Sequence, residues 1–319
     1  MKDGASPFAD PRLRELDPKP SPLPAGQVRA RAGLARATPL FLSISDADLE
    51  REWDWIGEGE GDVRSAFYIA MQAFERAAGQ VRRSPQGSAV GPAAGSIGVA
   101  TEARWDLQGL LVSLDEVSLD ADPGDGEWSV RRTLAHTLSS QRAYTWFGAW
   151  WMSRRDDADY PRHIPDPAAE QMEAQLPADE RNADGSLADI RARLDALVDL
   201  TSELWRDASE DDLSVRARWM GFAVTTGFRV GRWSTHMQEH TIQVEKTLAL
   251  LERAPTEVER MVRLLYRAFG RMESAAWVVG QDGDETAESP AQWPAQWMDL
   301  AVAEVEEIAA GVAEAATRR

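Results

Sequence analysis

Two histidines lie four residues apart in the segment His236-Met237-Gln238-Glu239-His240. On a helix, this spacing places both imidazoles on one side, one turn apart, where they can bind the same divalent ion. The segment also fits H-x-x-E-H, the inverzincin protease pattern, in which Glu239 would be the general base. The spacing alone leaves a simpler interpretation open, namely two core histidines that each form a hydrogen bond with a neighbour.

The segment that contains these histidines, 217–252, has the periodicity of one long helix. His240 falls within its apolar stripe, His236 lies at the edge of the stripe, and Glu239 is about 100° away from His240. The stripe consists of Trp219, Phe222, Thr226, Val230, Trp233, Met237, Val244, Leu248 and Leu251. Because burying two imidazoles among apolar side chains is costly without a common partner, the pattern favours a shared ligand such as a metal ion.

A third histidine, His136, lies in a second predicted core helix, in the segment EWSVRRTLAHTLSSQ. Three imidazoles from two helices leave coordination positions for water or substrate, as in catalytic rather than structural zinc sites. The fourth histidine, His163, lies in a proline-flanked loop and is interpreted as a surface residue. The chain has no cysteine, so any metal site must use histidines and carboxylates.

The motif W-S-V-R-x-x-L-A-H at 128–136, followed about 100 residues later by H-x-x-x-H, resembles the DinB/YfiT-like superfamily of metalloenzymes. The segment RAPTEVERMVRLLY at 253–266 resembles the usual continuation, so that the similarity extends in pieces over residues 60–280. The resemblance implies an up-down-down-up four-helix bundle that binds a divalent ion, often zinc or nickel, through three histidines. At the matching positions of this chain these are His136, His236 and His240.

Members of this superfamily include transferases that attach a small thiol to a substrate, isomerases that use mycothiol, and hydrolase-like proteins. The resemblance therefore implies a metal-dependent transferase or hydrolase that activates a small thiol or water for a small-molecule substrate. With no cysteine in the chain, a thiol would have to be a cosubstrate. A non-catalytic metal-binding or ligand-binding bundle is the alternative, because a fold does not fix a function.

Arg229 is a candidate for binding the ligand. It lies seven residues before His236 at nearly the same helical angle, so it could bind a carboxylate of a thiol cosubstrate. A solvent-exposed arginine is the alternative interpretation.

The helical periodicity predicts an all-α protein, one helical bundle with appended helices. The resemblance implies that this is a four-helix bundle, with additional N- and C-terminal helices. We expect a flexible N-terminal tail at 1–40, a DinB-like bundle at 41–282 and a C-terminal helix at 283–319 packed on the bundle. A low-complexity insertion at 84–97 splits what the resemblance takes as the first helix. The segment 156–186 is interpreted as an acidic loop, and Ser45 with Asp48 as a capping box that opens a short helix. Longer helices are predicted at 63–83, 100–117, 129–153, 188–206, 217–252, 256–278 and 294–316.

The formal net charge of −18 excludes nucleic acid and anionic membrane surfaces as main partners. The absence of cysteine and of an apolar leader at the N-terminus predicts a cytoplasmic location. The 13 tryptophans, several of them in WFGAWW at 146–151, are interpreted as core or as a homodimer contact, with an aromatic substrate pocket as the alternative.

Overall fold

The computed structural model describes residues 10–55, 61–83, 91–279 and 293–317, and it confirms an all-α helical protein. None of the helices in these ranges is both long and apolar enough to cross a lipid bilayer. The α-helices are α1 (Ala25–Leu42), α2 (Val63–Arg83), α3 (Ala94–Leu111), α4 (Glu116–Asp120), α5 (Val130–Met152), α6 (Asp166–Gln175), α7 (Leu187–Trp205), α8 (Glu210–Leu213), α9 (Thr226–Leu250), α10 (Glu257–Val279) and α11 (Trp293–Thr317). Two antiparallel pairs of short strands accompany them, β1 (Glu52–Trp53) with β2 (Gly61–Asp62), and β3 (Arg216–Trp219) with β4 (Phe222–Thr225).

The chain divides into two compact units, each built from separated pieces of chain. Unit 1 comprises Met1–Ser21, Gly91–Arg104 and Leu114–Arg253. Unit 2 comprises Pro22–Val90, Trp105–Ser113 and Ala254–Arg319. All four histidines lie in unit 1. Helix α2, which the sequence analysis took into the histidine-bearing bundle, lies in unit 2.

Unit 1 is a bundle of α5, α7, α9 and the first part of α3. Helices α5 and α9 pack directly on each other, and α7 packs on α5. Side-chain caps start all three helices: Ser129 accepts from the Arg132 N–H, Ser186 forms a capping box with Asp189, and Thr225 accepts from the Phe228 N–H. Helix α3 joins α7 through the buried ion pair of Arg104 with Asp199, 2.6 Å long.

Unit 2 is a second helical assembly in which α2 packs on α10 and α11, and α1 packs on α11. Its apolar core includes the edge-to-face pair of Phe74 and Phe269. An ion pair lies within this unit, where Arg31 donates to both carboxylate oxygens of the fully buried Glu273.

The prediction of a flexible tail at 1–40 is wrong for residues 25–40, which belong to α1. Ala30, Leu34, Ala37 and Phe41 recur at helical spacing and are fully or almost fully buried. The preceding residues are also attached, because Arg142 of α5 donates to the carbonyl oxygens at positions 13, 15 and 16. Residues 1–9 lie outside the described residues.

The predicted helix at 217–252 begins nine residues late, at Thr226. Strands β3 and β4 occupy its expected first turns, and Trp219 pairs with Phe222 across the hairpin. The turn between them is formed by Met220 and Gly221, which both adopt positive φ, 46° and 84°, as two-residue hairpin turns favour. Trp219 and Phe222, which were assigned to the helical stripe, therefore lie on the hairpin.

Three further predictions need correction. The Ser45–Asp48 capping box is present, but it opens a single 3-10 turn at Asp46–Asp48. The acidic segment 156–186 contains α6 and a 3-10 turn at Asp179–Ala183. Of the predicted insertion at 84–97, residues 84–90 lie outside the described residues, while α3 already begins at residue 94.

Candidate metal centre

Helices α5 and α9 bring together the three histidines that the sequence analysis singled out. His136 lies in the second turn of α5, and His236 and His240 lie one turn apart near the middle of α9. One ring nitrogen from each histidine lies within 4.8 Å of the other two. His236 and His240 are 8% and 9% exposed, and His136 is half-buried. The centre is therefore enclosed on the α9 side and more open beside His136.

The distances suit three ligands of one ion. The Nε2 atoms of His236 and His240 are 3.0 Å apart. With metal–nitrogen bonds of about 2.1 Å, this separation corresponds to an angle of about 90° at the ion. Two ligands of one ion cannot be more than about 4.2 Å apart at that bond length. A separation at the 4.8 Å limit would require His136 to move inward by about half an ångström.

Hydrogen bonds to side chains one turn away orient two of the rings. Nδ1 of His240 lies 2.8 Å from Oε1 of Gln243, which can only accept, so Nδ1 carries the proton and Nε2 is free as a ligand. Nε2 of His136 lies 3.4 Å from Oγ of Ser140. At His240 the acceptor Gln243 thus selects the tautomer, as partners of metal-ligating histidines commonly do.

Burial keeps the three imidazoles neutral, the form that binds metal ions. Desolvation lowers the pKa of His136, His236 and His240, and for His236 the pKa falls to about 3. The mutual repulsion of the three charged forms adds to this effect at His236. The charge of Asp179 at His136, and that of Glu239 at His236 and His240, act in the opposite direction, but burial outweighs them. The cluster therefore has the donor set of a cation site.

Aromatic rings surround the centre. Trp128 meets His136 edge-on at a centroid distance of 5.3 Å, and Tyr144 meets His236 in the same way at 5.3 Å. Trp219 of the hairpin lies 5.3 Å from Tyr144 on the other side. Burial raises the pKa of Tyr144 to about 12, so its hydroxyl remains protonated at neutral pH.

Glu239, the glutamate of the H-x-x-E-H pattern, does not point into the centre. Its two carboxylate oxygens accept from the guanidinium of Arg232 at 2.9 and 2.7 Å, and its side chain is 56% exposed. The structure thus gives no support to the inverzincin interpretation. His163 is exposed on a loop and is not part of the three-histidine cluster, as expected.

A cavity of about 480 Å³ opens beside His136. Its walls carry both charges, from Arg131 and Arg132 and from Asp179 and Glu180, together with the ring of Trp128. The guanidinium of Arg132 stacks over Trp128 at 4.7 Å. Sequence reasoning missed this cavity, because Asp179 and Glu180 belong to a segment that was interpreted as a loop with no signal of its position.

Arg229, which was predicted to lie at nearly the same helical angle as His236, is buried like that histidine. It is 5% exposed, and its guanidinium lies 5.6 Å from the rings of both Phe147 and Trp219. Nη2 donates to the carbonyl oxygen of Arg218, whereas Nε has no hydrogen-bond partner. Burial lowers the pKa of Arg229 to about 10. The alternative interpretation, a solvent-exposed arginine, is wrong.

A family model of the DinB superfamily matches residues 100–244, which include all three clustered histidines. No curated protein and no solved structure shows a significant match to the chain. Residues 100–244 are thus similar to the DinB superfamily, and the resemblance noted in the sequence is confirmed over this part of the chain.

Proposed function

We propose that this chain is a DinB-like metalloenzyme that holds one divalent ion through His136, His236 and His240 and acts on a small molecule. The observation that carries the proposal is the convergence of three neutral imidazoles, two of them with their Nε2 atoms 3.0 Å apart. Neutral imidazole suits zinc, nickel, copper and iron, and zinc and nickel are the ions that the family resemblance implies.

When bound, a divalent ion supplies Lewis acidity that lowers the pKa of a thiol or a water molecule and so generates a nucleophile. The chain provides the surroundings for such chemistry. Three uncharged ligands leave the charge of the ion unneutralised, and Trp128 and Tyr144 limit the access of bulk water. The cavity beside His136 gives a small substrate an approach from the more open side.

The nucleophile that we favour is an external thiol, transferred to an electrophilic substrate. No cysteine is available in the chain, so the sulfur must arrive with a cosubstrate. Water is the rival nucleophile and would make the protein a hydrolase with the same three ligands. The proposal also includes a homodimer and a cytoplasmic location, as the sequence analysis expected.

A second candidate is a metal-binding protein without catalysis, and the position of Glu239 favours it over a hydrolase. Glu239, the nearest acid along α9, is held by Arg232 and turned away, so it cannot serve the centre as a general base. A thiol that binds as thiolate does not need such a base, whereas attack by water usually benefits from one.

Metal analysis of protein purified without a polyhistidine tag tests the metal site. We expect about one equivalent of a divalent ion per chain, lost in His136→Ala, His236→Ala and His240→Ala. His163→Ala is the matched control, because this histidine is exposed and outside the cluster, and it should keep the full content. Full occupancy in His236→Ala would overturn the proposed ligand set.

A cobalt-substituted sample then separates the nucleophiles. Titration with mycothiol, bacillithiol, glutathione or coenzyme A should produce a thiolate-to-metal charge-transfer band with one of them, absent in His240→Ala. If no thiol gives a band while metal-dependent ester or amide cleavage is measurable, the protein is a hydrolase. If both assays are negative, the non-catalytic candidate replaces the proposal.

A further inference from the structure

Four arginines are buried in the described part of the chain, and their partners differ. Arg104 is paired with the carboxylate of Asp199, and Arg193 with that of Asp17. Arg142 has no carboxylate, but its guanidinium donates to four oxygens, three backbone carbonyls and Oδ1 of Asn182. Arg229 has one backbone carbonyl, and its Nε has no partner.

An incompletely satisfied guanidinium in a buried position is costly, because burial removes the water that would otherwise solvate its charge. The flanking rings of Phe147 and Trp219 compensate only in part through cation–π contacts. No carboxylate of the described residues forms an ion pair with Arg229, and no acidic residue lies in the first turn of α9, where the helix dipole is positive. A bound anion would therefore stabilise the buried guanidinium of Arg229.

We propose that Arg229 is the anchor for a carboxylate group of the ligand whose other end reaches the three-histidine centre. The role of this subsite in a reaction rests on the proposed function, although carboxylate binding itself does not require the metal ion. A guanidinium is suited to this group, because its planar N–H donors match the two oxygens of a carboxylate.

The position of Arg229 limits the size and character of the ligand. Arg229 precedes His236 by seven residues on α9, which corresponds to about two turns and a rise of about 10 Å on nearly the same side of the helix. A series of contacts links the two positions, since Arg229 lies beside the ring of Trp219, Trp219 contacts Tyr144, and Tyr144 contacts His236. We therefore expect a small acid with an apolar, preferably aromatic body, and not a cationic or highly polar ligand.

The test compares benzoate with its neutral isostere benzamide on protein freed of metal by a chelator. Isothermal titration calorimetry should show saturable binding of benzoate and much weaker or no binding of benzamide. Arg229→Gln should weaken benzoate binding by at least about ten-fold, the effect of losing a charge-assisted hydrogen bond in a buried site. Arg232→Gln is the matched control, since Arg232 lies one turn later and its charge is already paired with Glu239, and binding should change by less than about two-fold.

Two further measurements distinguish a loss of benzoate binding from misfolding and from a loss of metal. Arg229→Lys retains the charge but loses the planar fork, so it should fold like the wild type and bind benzoate more weakly than the wild type. His236→Ala should lose metal and still bind benzoate, whereas Arg229→Gln should keep one equivalent of metal. Failure of the metal site thus leaves the benzoate result unaffected. Equal affinity for benzoate and benzamide in the wild type, or undiminished benzoate binding in Arg229→Gln, would overturn the proposal.

Discussion

Gln243 lies one turn after His240 on α9, and its Oε1 atom accepts a hydrogen bond from Nδ1 of His240 at 2.8 Å. This bond selects the tautomer whose Nε2 faces His236. The orientation of this nitrogen is therefore set by a residue that does not itself belong to the three-histidine cluster.

Gln243→Leu should weaken metal binding by about 10-fold or more, as is typical when the partner of a metal-ligating histidine is removed. The measurement is competition for zinc with a chromophoric chelator. Gln238→Leu is the control, because Gln238 lies on the same helix but is exposed, and it should leave the affinity unchanged. Equal affinities of the two variants would show that the contact to Nδ1 has no role in metal binding.

The stability of the metal-free protein should fall as the pH decreases below about 6.5. Burial lowers the pKa of His236 from 6.5 to about 3, so in this range the unfolded chain takes up a proton that the folded chain does not. The free energy of unfolding then decreases by up to about 1.4 kcal/mol per pH unit from this one group. Urea titrations between pH 7.5 and 4.5 should give a shallower decrease for His236→Asn than for the wild type, and parallel curves would contradict the assignment.

Arg142→Met should destabilise the protein by about 2–4 kcal/mol, because it leaves several buried oxygens without a donor. Three of them are the carbonyls at positions 13, 15 and 16, so the N-terminal segment should also become sensitive to protease. Arg181→Met is the comparison, since Arg181 is 64% exposed and paired only with the nearby Asp184, and it should change stability by less than about 0.5 kcal/mol. Denaturant titration and limited proteolysis provide the two measurements. An unchanged cleavage pattern near residue 15 would contradict the attachment of this segment.

Two glycines in the helices of unit 2 should respond to alanine in opposite directions. At Gly33 of α1, an added methyl group would lie 1.9 Å from Cγ1 of Val302 in α11, so Gly33→Ala should destabilise the protein. At Gly79 of α2, no atom beyond the adjoining residues and the nearby backbone of the helix itself lies within 4 Å of the added group, so Gly79→Ala should stabilise the protein by about 0.5–1 kcal/mol through helix propensity. Thermal unfolding of both variants checks the pair. A Gly33→Ala protein that gained as much stability as Gly79→Ala would show that α1 and α11 are not closely packed.

Helices with a regular apolar face could be predicted from the sequence, and so could the cluster of three histidines. Helices α2, α5, α7 and α10 begin and end within a residue or two of the predicted positions, because their buried residues recur at i, i+3 and i+4. The approach of His136 to His236 followed from placing each histidine on the inner face of its helix.

Other features depend on contacts that no local pattern reveals. The hairpin of β3 and β4 escaped prediction because Trp219 and Phe222 happen to continue the apolar stripe of α9. Helix α1 was missed because half of its buried residues are alanine or glycine, which give a weak periodic signal. The helical angle of Arg229 could be predicted, but its partners could not: that Nε has none, and that Nη2 donates to a backbone carbonyl oxygen, follows only from the three-dimensional arrangement of the described residues.

Unit 1 is built from separated pieces of chain, so the family match does not coincide with a unit that can be expressed by itself. Both limits of the family match lie inside helices: residue 100 is in α3, which begins at residue 94, and residue 244 is in α9, which ends at residue 250. A gene fragment for residues 100–244 would also lack the backbone oxygens near residue 15 that satisfy Arg142. The fragment 100–244 is therefore not expected to fold around the histidine centre without these parts. A functional graft must carry residues 10–21 and 91–253 together, with a new linker in place of everything between them.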